Sequence, residues 1–320
     1  MLNAHSRIAI PVESHFLSEL IYQYPEDRDL TRSEIEQISQ FVADHERFEH
    51  WKTTPTELKQ AVTATDSKPL TLNGLIQLMY RLEVGNDKAR WGDKTPGYER
   101  HFARLAAVFP KAKFVHIHRD GRDVSNSMCD RTWHGITEYQ RARYWKDSID
   151  TAFESAEKLG PDRCLSVGYE TLVRSPKETL QRICEFVGEE FEPQMLQFNR
   201  DSQDNVVDQK IHSKLTRLPD PKTDLQRWKT ESSSTRVLLF EALAGKSLSQ
   251  SGYELSFGPT SRTLAKIAYW IPGMAMAKAH DAYLSTPSSW RIGLRQSGIV
   301  KKIRNMMYTR KNPTAEAKGA

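Results

Sequence analysis

Short apolar runs alternate with longer stretches of helical apolar spacing over residues 1–190 of this chain. The apolar runs at residues 7–10, 114–118 and 163–168 predict short buried strands, and residues 91–94 predict the end of another strand. The helical spacing predicts helices at residues 13–22, 31–51, 58–63, 70–84, 96–108, 137–159 and 176–187. We expect a Ser33/Glu36 capping box to open the second of these helices and Pro96 to open the fifth.

This alternation of strand and helix with short connections predicts an α/β fold, in which helices cover both faces of a parallel sheet. In sheets of this kind the active site lies beyond the carboxyl ends of the strands. Lys94, Arg119 and Tyr169 all fall at predicted strand ends. The sequence therefore places its candidate chemistry at these three positions.

The composition is that of an ordinary globular protein, with 38% hydrophobic and 27% charged residues among 320. No apolar run approaches the ~20 residues that span a membrane, and no signal-peptide pattern is present, so we expect a cytoplasmic protein. Cys129, Cys164 and Cys184 show no metal-ligand spacing. This predicts buried thiols rather than a disulfide framework or a zinc site.

Charge is unevenly distributed along the chain. Residues 255–320 hold 11 Lys or Arg against two Asp or Glu, a balance of +9, whereas the whole chain carries +5. We therefore expect one domain over residues 1–255 and a helical, basic, partly disordered extension over residues 256–320. Within it, residues 300–308 predict a helix packed on the body with a solvated basic face, or alternatively a basic amphipathic helix in peripheral contact with an anionic membrane. No nucleic-acid-binding module is recognisable.

The most informative segment is residues 113–128, KFVHIHRDGRDVSNSM. A predicted strand ends in Arg119, turns, and enters a helix that carries Ser127. Backbone N–H groups and the dipole at a helix N-terminus attract anions, and an arginine and a serine hydroxyl add further donors. Arg119 and Ser127 are therefore candidates for a phosphate clamp. The alternative is a strand-end arginine that is capped by Asp120 or Asp123.

This segment resembles the corresponding segment of the sulfotransferases that use 3'-phosphoadenosine 5'-phosphosulfate (PAPS), and the sequence RDGRDVSNS matches their bacterial branch. In that family a strand-end arginine and a helical serine eight residues later bind the 3'-phosphate. Three further segments agree in order and spacing, namely AIPVESHFL at 9–17, WGDKTPGY at 91–98 and VGYETLV at 167–173. The resemblance covers roughly residues 1–230. It implies a P-loop-NTPase-like parallel sheet flanked by helices, and sulfuryl transfer from PAPS to a hydroxyl or amine.

One element of the family's pattern has no counterpart in this sequence. The family opens with a strand and a Gly-rich loop of the type P-R-S-G-T-T, whose backbone N–H groups cradle the 5'-phosphosulfate. We expect an N-terminally truncated sequence that lacks this strand and loop, because losing a central strand would leave buried backbone groups unpaired. The alternative is a catalytically inactive nucleotide-binding or scaffold remnant. A P-loop kinase is disfavoured, since no Mg²⁺-binding aspartate is evident.

The resemblance also implies catalytic roles. Sulfuryl transfer in line requires that the protein position both partners and place positive charge where negative charge accumulates. Lys94, within DKTP, is expected to contact the bridging oxygen of the leaving group. Glu13 is expected to be the general base, with His15 as the alternative. Lys94 as a surface lysine, and Glu13 or His15 as helix-start residues, are the non-catalytic alternatives.

The remaining assignments concern the nucleotide and the acceptor. Tyr169, in the YE-x-L segment, is expected near the adenine. Arg217, Arg227, Trp228 and Lys229 lie where the family closes the nucleotide with a Trp/basic loop, although the family's glycines are absent here. The transfer requires no metal. No motif identifies the acceptor, so a small molecule, a carbohydrate, a lipid and a peptide all stay open.

Overall fold

The computed structural model describes residues 1–65, 69–85, 87–129, 137–200, 220–221 and 224–268, together with positions 275 and 278. The chain divides into two compact units. The first unit is formed by Met1–Ile117 and Ala152–Pro219, and the second by His118–Thr151 and Asp220–Ala320. The division at residue 255 that the charge pattern suggests stays a prediction.

The described strands are β1 Ile8–Ala9, β2 Arg90–Trp91, β3 Phe114–His118 and β4 Cys164–Gly168. β1 and β2 pair in parallel, with Ile8 opposite Arg90 and Ala9 opposite Trp91. β3 pairs with β4 in a second sheet. The predicted parallel pairing is therefore seen for β1 and β2, whereas the described strands form two two-stranded sheets and not one continuous sheet.

Helices account for most of the other described residues. In chain order they are α1 Leu17–Gln23, α2 Arg32–Asp44, α3 Pro55–Thr63, α4 Leu72–Val84, α5 Phe102–Val108, α6 Gly121–Met128, α7 Glu138–Leu159, α8 Tyr169–Arg174, α9 Pro176–Val187, α10 Trp228–Glu231 and α11 Ser234–Gln250. Short 3₁₀ turns lie at Leu2–Ala4, Phe48–His50, Tyr98–His101 and Pro193–Arg200. The chain is thus a helix-rich α/β protein.

Two predicted elements have the bounds that the sequence indicated. β3 covers residues 114–118, and α9 runs from Pro176 to Val187. Gly188 ends α9 in the left-handed conformation, with φ 77°. A proline in the first turn and a glycine after the last residue mark the helix ends clearly. Proline restricts φ to a helical value, and glycine permits the left-handed conformation that ends the helix.

Two helix starts differ from the prediction. The capping box of α2 is formed by Thr31 and Glu34, because Thr31 has extended backbone and accepts a hydrogen bond from the Glu34 N–H. The Ser33/Glu36 assignment was therefore wrong. The helix ends at Asp44 and does not continue to residue 51, since His45 is extended. Pro96 does not open α5 either, because Gly97 has φ 96° and a 3₁₀ turn precedes the helix.

The core of the first unit is built by α1 to α5 together with β3. α4 illustrates why the apolar spacing predicted a helix: it buries Leu72, Leu75, Ile76 and Met79 along one face. Tyr80 continues this face and stacks on Trp91 of β2, with ring centroids 4.0 Å apart. α4 therefore brings a phenolic hydroxyl to the residues that follow β2.

The core of the second unit forms where α6 packs against α7 and α11. A β-carbon on Gly121 would lie 2.5 Å from ring atoms of both Trp145 and Phe240, so only glycine permits this approach. The next residue, Arg122, is buried with Asp120 and Glu241. Its guanidinium donates to both Asp120 oxygens, at 3.0 and 2.7 Å, and to Glu241 Oε1 at 2.7 Å. This ion group joins the start of α6 to α11.

No helix among the described residues is long and apolar enough to cross a bilayer. Most of the predicted basic extension, including residues 300–308, lies outside the described residues, and so does Arg217. The membrane-contact prediction for that segment is therefore not tested.

Candidate functional site

In the first unit, the chain segments that leave β1 and β2 carry the predicted base and the predicted lysine. Because the two strands are parallel and in register at Ala9 and Trp91, the segments beyond their carboxyl ends run side by side. Glu13 and Lys94 lie on these segments, and the Lys94 ammonium donates a hydrogen bond to Glu13 Oε1. The structure thus brings together two residues that are 81 positions apart in sequence.

The Glu13 carboxylate is flanked by two basic groups. Burial by itself would raise the pKa of Glu13, but the hydrogen bond and charge of Lys94, and then those of His15, hold this pKa below its ordinary value. His15 Nε2 lies 3.3 Å from Glu13 Oε2. Glu13 is therefore ionised at neutral pH and can accept a proton. The structure also places His15, the alternative base, at the same carboxylate.

The residues next to this ion pair form a buried hydrogen-bond network. Ser14 Oγ and Tyr80 Oη both donate to Asp93 Oδ2, and Thr95 Oγ1 donates to Asp93 Oδ1 at 2.7 Å. Tyr98 Oη lies 2.9 Å from Ser14 Oγ. Burial raises the pKa of Asp93, and the three hydroxyl donors offset only part of this effect. Burial likewise raises the pKa of Tyr98 and Tyr80.

Sequence reasoning did not assign a role to Ser14 or Asp93. Both lie within segments that the resemblance had singled out, but as neighbours of the expected catalytic residues. The available signal was an aspartate within the predicted strand end at residues 91–94 and directly before the candidate lysine. Its hydrogen-bond partner, Ser14, lies 79 residues away, and no pattern in the neighbouring sequence marks it.

His15 has an unusual backbone conformation for a residue with a side chain. Its φ is 57°, in the left-handed region that favours glycine. α1 consequently begins at Leu17 and not at residue 13 as the apolar spacing predicted. The strained turn lies directly between the candidate base and the first turn of the helix.

This conformation predicts the relative stability of two substitutions at the same position. In urea unfolding, we expect the free energy of unfolding of His15→Gly to exceed that of His15→Ala by about 1 kcal/mol, because alanine is strained at positive φ and glycine is not. Both variants lack the imidazole, so the comparison isolates the backbone. Gln37, exposed within α2, supplies the control: there we expect the alanine variant to be the more stable one. Equal stability of the two His15 variants would contradict a left-handed turn.

In the second unit, Arg119 directly follows β3. Its Nη2 donates to Asp123 Oδ2 at 3.2 Å and to the Asp224 carbonyl at 2.8 Å. Asp123 and Ser127 are one turn apart on α6, so Arg119 contacts the helix face that carries Ser127. Ser127 is exposed, and its hydroxyl donates to the Val124 carbonyl. The contact of Arg119 with Asp123 is the one that the alternative to the phosphate clamp named, and the role of Arg119 and Ser127 in phosphate binding stays a prediction.

The segment before α10 is held to the same helix by Asp123. The backbone N–H groups of Gln226 and Trp228 each donate to this carboxylate at 2.9 Å. Burial raises the pKa of Asp123, despite the Trp228 N–H and the charge of Arg119. The structure therefore gathers Arg119, the Ser127 face of α6 and residues 226–228 around one buried carboxylate.

The other predicted nucleotide residues have the following places. Trp228 is buried, and its ring lies 3.8 Å from the Arg122 guanidinium carbon. Arg227 pairs with Glu231, with Nη2 and Oε1 2.6 Å apart, and Lys229 is exposed 5.7 Å from the Trp228 ring. Tyr169 begins α8 directly after β4, in the first unit. Its adenine contact stays a prediction.

A further donor of the second unit lies on Trp228. The Trp228 indole N–H is buried without a hydrogen-bond acceptor among the described residues. Arg119 Nη2 and the exposed Ser127 hydroxyl both donate to oxygen atoms of the protein. No group of three or more metal-ligating side chains is found in the described part of the chain.

Comparison with known proteins gives a consistent result. A family model described as "Sulfotransferase family" matches residues 1–193. The protein-tyrosine sulfotransferase of Drosophila melanogaster is 27% identical over 145 residues, which cover 43% of this chain and 29% of that protein. Protein-tyrosine sulfotransferase A of Caenorhabditis elegans is 28% identical over 144 residues, which cover 43% of this chain and 38% of that protein. The chain thus matches less than half the length of either relative.

Two solved structures resemble the fold. The sulfotransferase domain from the curacin biosynthetic pathway has a TM-score of 0.50 and 19% identity, over 79% of this chain and 92% of that domain. The sulfotransferase domain from the Synechococcus PCC 7002 olefin synthase has a TM-score of 0.52 and 17% identity, over 80% of this chain and 98% of that domain. At these identities the likeness concerns the fold alone.

Proposed function

The chain belongs to the sulfotransferase family, and on this premise we propose that a protein that contains this sequence together with the family's phosphosulfate loop transfers a sulfuryl group from PAPS to a hydroxyl or amine of an acceptor. The observation that carries the proposal is the contact between Glu13 and Lys94 beyond the ends of two parallel strands. In-line transfer places the attacking and the leaving oxygen on opposite sides of one sulfur atom. A base for the first oxygen and a cation for the second must therefore be neighbours.

The reaction assigns a separate task to each residue of this pair. Glu13 takes the proton from the acceptor oxygen or nitrogen while that atom forms its bond to sulfur. The bond between sulfur and the phosphate oxygen breaks, and its electron pair stays on that oxygen. Lys94 donates a hydrogen bond there and stabilises the charge that develops. With both substrates bound, these two contacts replace the ion pair.

The donors of the second unit are proposed to bind the 3'-phosphate of the nucleotide. Arg119 supplies a charged donor, Ser127 an exposed hydroxyl, and Asp123 fixes the segment that carries Arg227, Trp228 and Lys229. Charge-assisted hydrogen bonds of this kind are roughly twice as strong as neutral ones. Arg119 is therefore expected to contribute more to nucleotide affinity than Ser127.

Binding of 3'-phosphoadenosine 5'-phosphate tests this assignment. We expect Arg119→Ala to weaken binding by about 10- to 100-fold and Ser127→Ala by about 3- to 10-fold, in isothermal titration calorimetry. Adenosine 5'-phosphate, which lacks the 3'-phosphate, should bind the wild-type protein and Arg119→Ala equally. Arg143→Ala, which removes an exposed arginine from α7, is the matched control. A full preference for the 3'-phosphorylated nucleotide in Arg119→Ala would contradict the assignment.

The acceptor and the alternative function are separated by an activity assay. The names of the matched relatives make a peptide tyrosine the first acceptor to assay. Sulfate transfer from labelled PAPS to any acceptor supports the enzyme. Binding of the nucleotide without transfer to a peptide, carbohydrate, lipid or small alcohol would support the inactive nucleotide-binding protein instead.

A further inference from the structure

The residue between Glu13 and His15 points away from solvent. Ser14 is fully buried, whereas the side chains of Glu13 and His15 are partly exposed. The Ser14 hydroxyl reaches Asp93, which is the chain neighbour of Lys94. One hydrogen bond between side chains thus joins the two segments at the residues directly beside the ion pair.

Asp93 also accepts a hydrogen bond from a residue of α4. Tyr80 of α4 donates to the same carboxylate oxygen as Ser14, and its ring stacks on Trp91 of β2. Thr95 occupies the other carboxylate oxygen. The Asp93 carboxylate therefore accepts hydrogen bonds from the 13–16 segment, from α4 and from its own turn.

The ion pair between Glu13 and Lys94 is not sufficient to hold the two segments in place. The Lys94 side chain is 71% exposed, and exposed ion pairs contribute little because they are solvated and cost side-chain entropy. The left-handed backbone at His15 is likewise unfavourable, and such residues persist where the surrounding structure over-determines them. The Ser14 hydroxyl contacts Asp93 and Tyr98, and these side-chain contacts join the turn to the segment that carries residue 94.

We propose that Ser14 and Asp93 are positioning residues, whose hydrogen bond sets the placement of Glu13 against Lys94. The catalytic meaning of this placement rests on the proposed function. The placement itself is a property of the protein without substrates. It follows that the two residues act through Glu13 and Lys94 and do not touch the reacting atoms.

The test measures the pKa of Glu13 in the full chain, using protein labelled with ¹³C at the glutamate carboxyl carbon. Glu13→Gln assigns the resonance. In the wild-type protein we expect a pKa below the ordinary glutamate value of about 4.3, because Lys94 and His15 contact the carboxylate. In Ser14→Ala and Asp93→Ala we expect the pKa to rise towards that value, since the two segments are no longer joined.

Two further variants keep the result interpretable. Asp93→Asn retains a carbonyl oxygen for Ser14, so we expect it to preserve most of the lowered Glu13 pKa and to act as the conservative rescue. Ser39→Ala removes a hydroxyl that bonds only within α2, and we expect no change there. Circular dichroism establishes that each variant is folded before its titration.

The outcomes distinguish this inference from the proposed function. An unmoved Glu13 pKa in folded Ser14→Ala and Asp93→Ala proteins would overturn the positioning role. Failure of the wild-type chain to bind the 3'-phosphorylated nucleotide would overturn the proposed function alone, because the titration requires no nucleotide. Where transfer is measured, we expect Ser14→Ala to lower kcat by at least 10-fold with nucleotide affinity unchanged; an equal kcat would contradict the inference.

Discussion

Arg122→Met is expected to lower the free energy of unfolding by about 3–5 kcal/mol, the largest effect of any single substitution considered for this protein. The Arg122, Asp120 and Glu241 side chains are all less than 5% exposed. Removing the cation leaves two carboxylates in a buried site without the positive charge that offsets theirs. Methionine fills a similar volume, so the expected loss comes from the charge and not from a cavity.

The same ion group has consequences for the residues around it. Glu241 also accepts the backbone N–H groups of Ser256 and Phe257, at 2.9 and 3.0 Å. The Arg122 guanidinium stacks on Trp228. We therefore expect the substitution to weaken α6, α10 and the 255–257 segment together, as a single loss in the second unit.

Urea unfolding monitored by circular dichroism and tryptophan fluorescence measures this effect. Arg143→Met is the control, because Arg143 pairs with Asp147 at the surface and should contribute less than about 1 kcal/mol. The triple variant Arg122→Met, Asp120→Asn, Glu241→Gln removes all the charges and should recover most of the lost stability. A loss below about 1 kcal/mol in Arg122→Met would show that the group is solvated in solution.

The second large effect concerns catalysis. Glu13→Gln is expected to lower kcat for sulfuryl transfer by about 10²- to 10⁴-fold, the range that loss of a positioned general base produces. The amide keeps the shape of the side chain but accepts no proton. Glu36→Gln, on the exposed face of α2, is the matched control and should leave kcat unchanged.

The pH dependence of kcat gives a second readout for the same residue. The pKa of Glu13 is lowered, so its carboxylate persists to more acidic pH than an ordinary glutamate. Activity should therefore be retained as the pH falls and be lost only below about 4.3. An acid limb near pH 6.5, where histidines ordinarily titrate, together with full activity of Glu13→Gln, would assign the base to a histidine and contradict the role of Glu13.

The sequence predicted the elements whose boundaries are set by local chemistry. β3 is an apolar run bounded by charge, and α9 has Pro176 at its start and Gly188 after its end. Both were predicted with correct bounds because these signals lie within a few residues of the boundary. The start of α2 shows the limit of this reasoning: Thr31/Glu34 and Ser33/Glu36 have the same spacing, and only the extended backbone at Thr31 distinguishes them.

Contacts between site residues that are far apart in sequence could not be predicted from local patterns either. Family resemblance singled out Glu13 and Lys94 separately, and the parallel register of β1 and β2 is what joins them. Ser14 and Asp93 were missed because a buried contact between two loops leaves no periodic pattern in the sequence. The left-handed turn at His15 was equally invisible, since histidine is enriched at positive φ but most histidines lie in other backbone conformations.

The attachment of residues 226–228 to α6 has a consequence for how this segment can vary. Asp123 holds it through the backbone N–H groups of Gln226 and Trp228, and every residue except proline provides such a group. These two hydrogen bonds are therefore independent of the side chains at positions 226 and 228, and the buried Trp228 ring adds its contact with Arg122. The backbone anchorage is therefore expected to survive substitution of either residue by anything but proline, for as long as position 123 remains an aspartate.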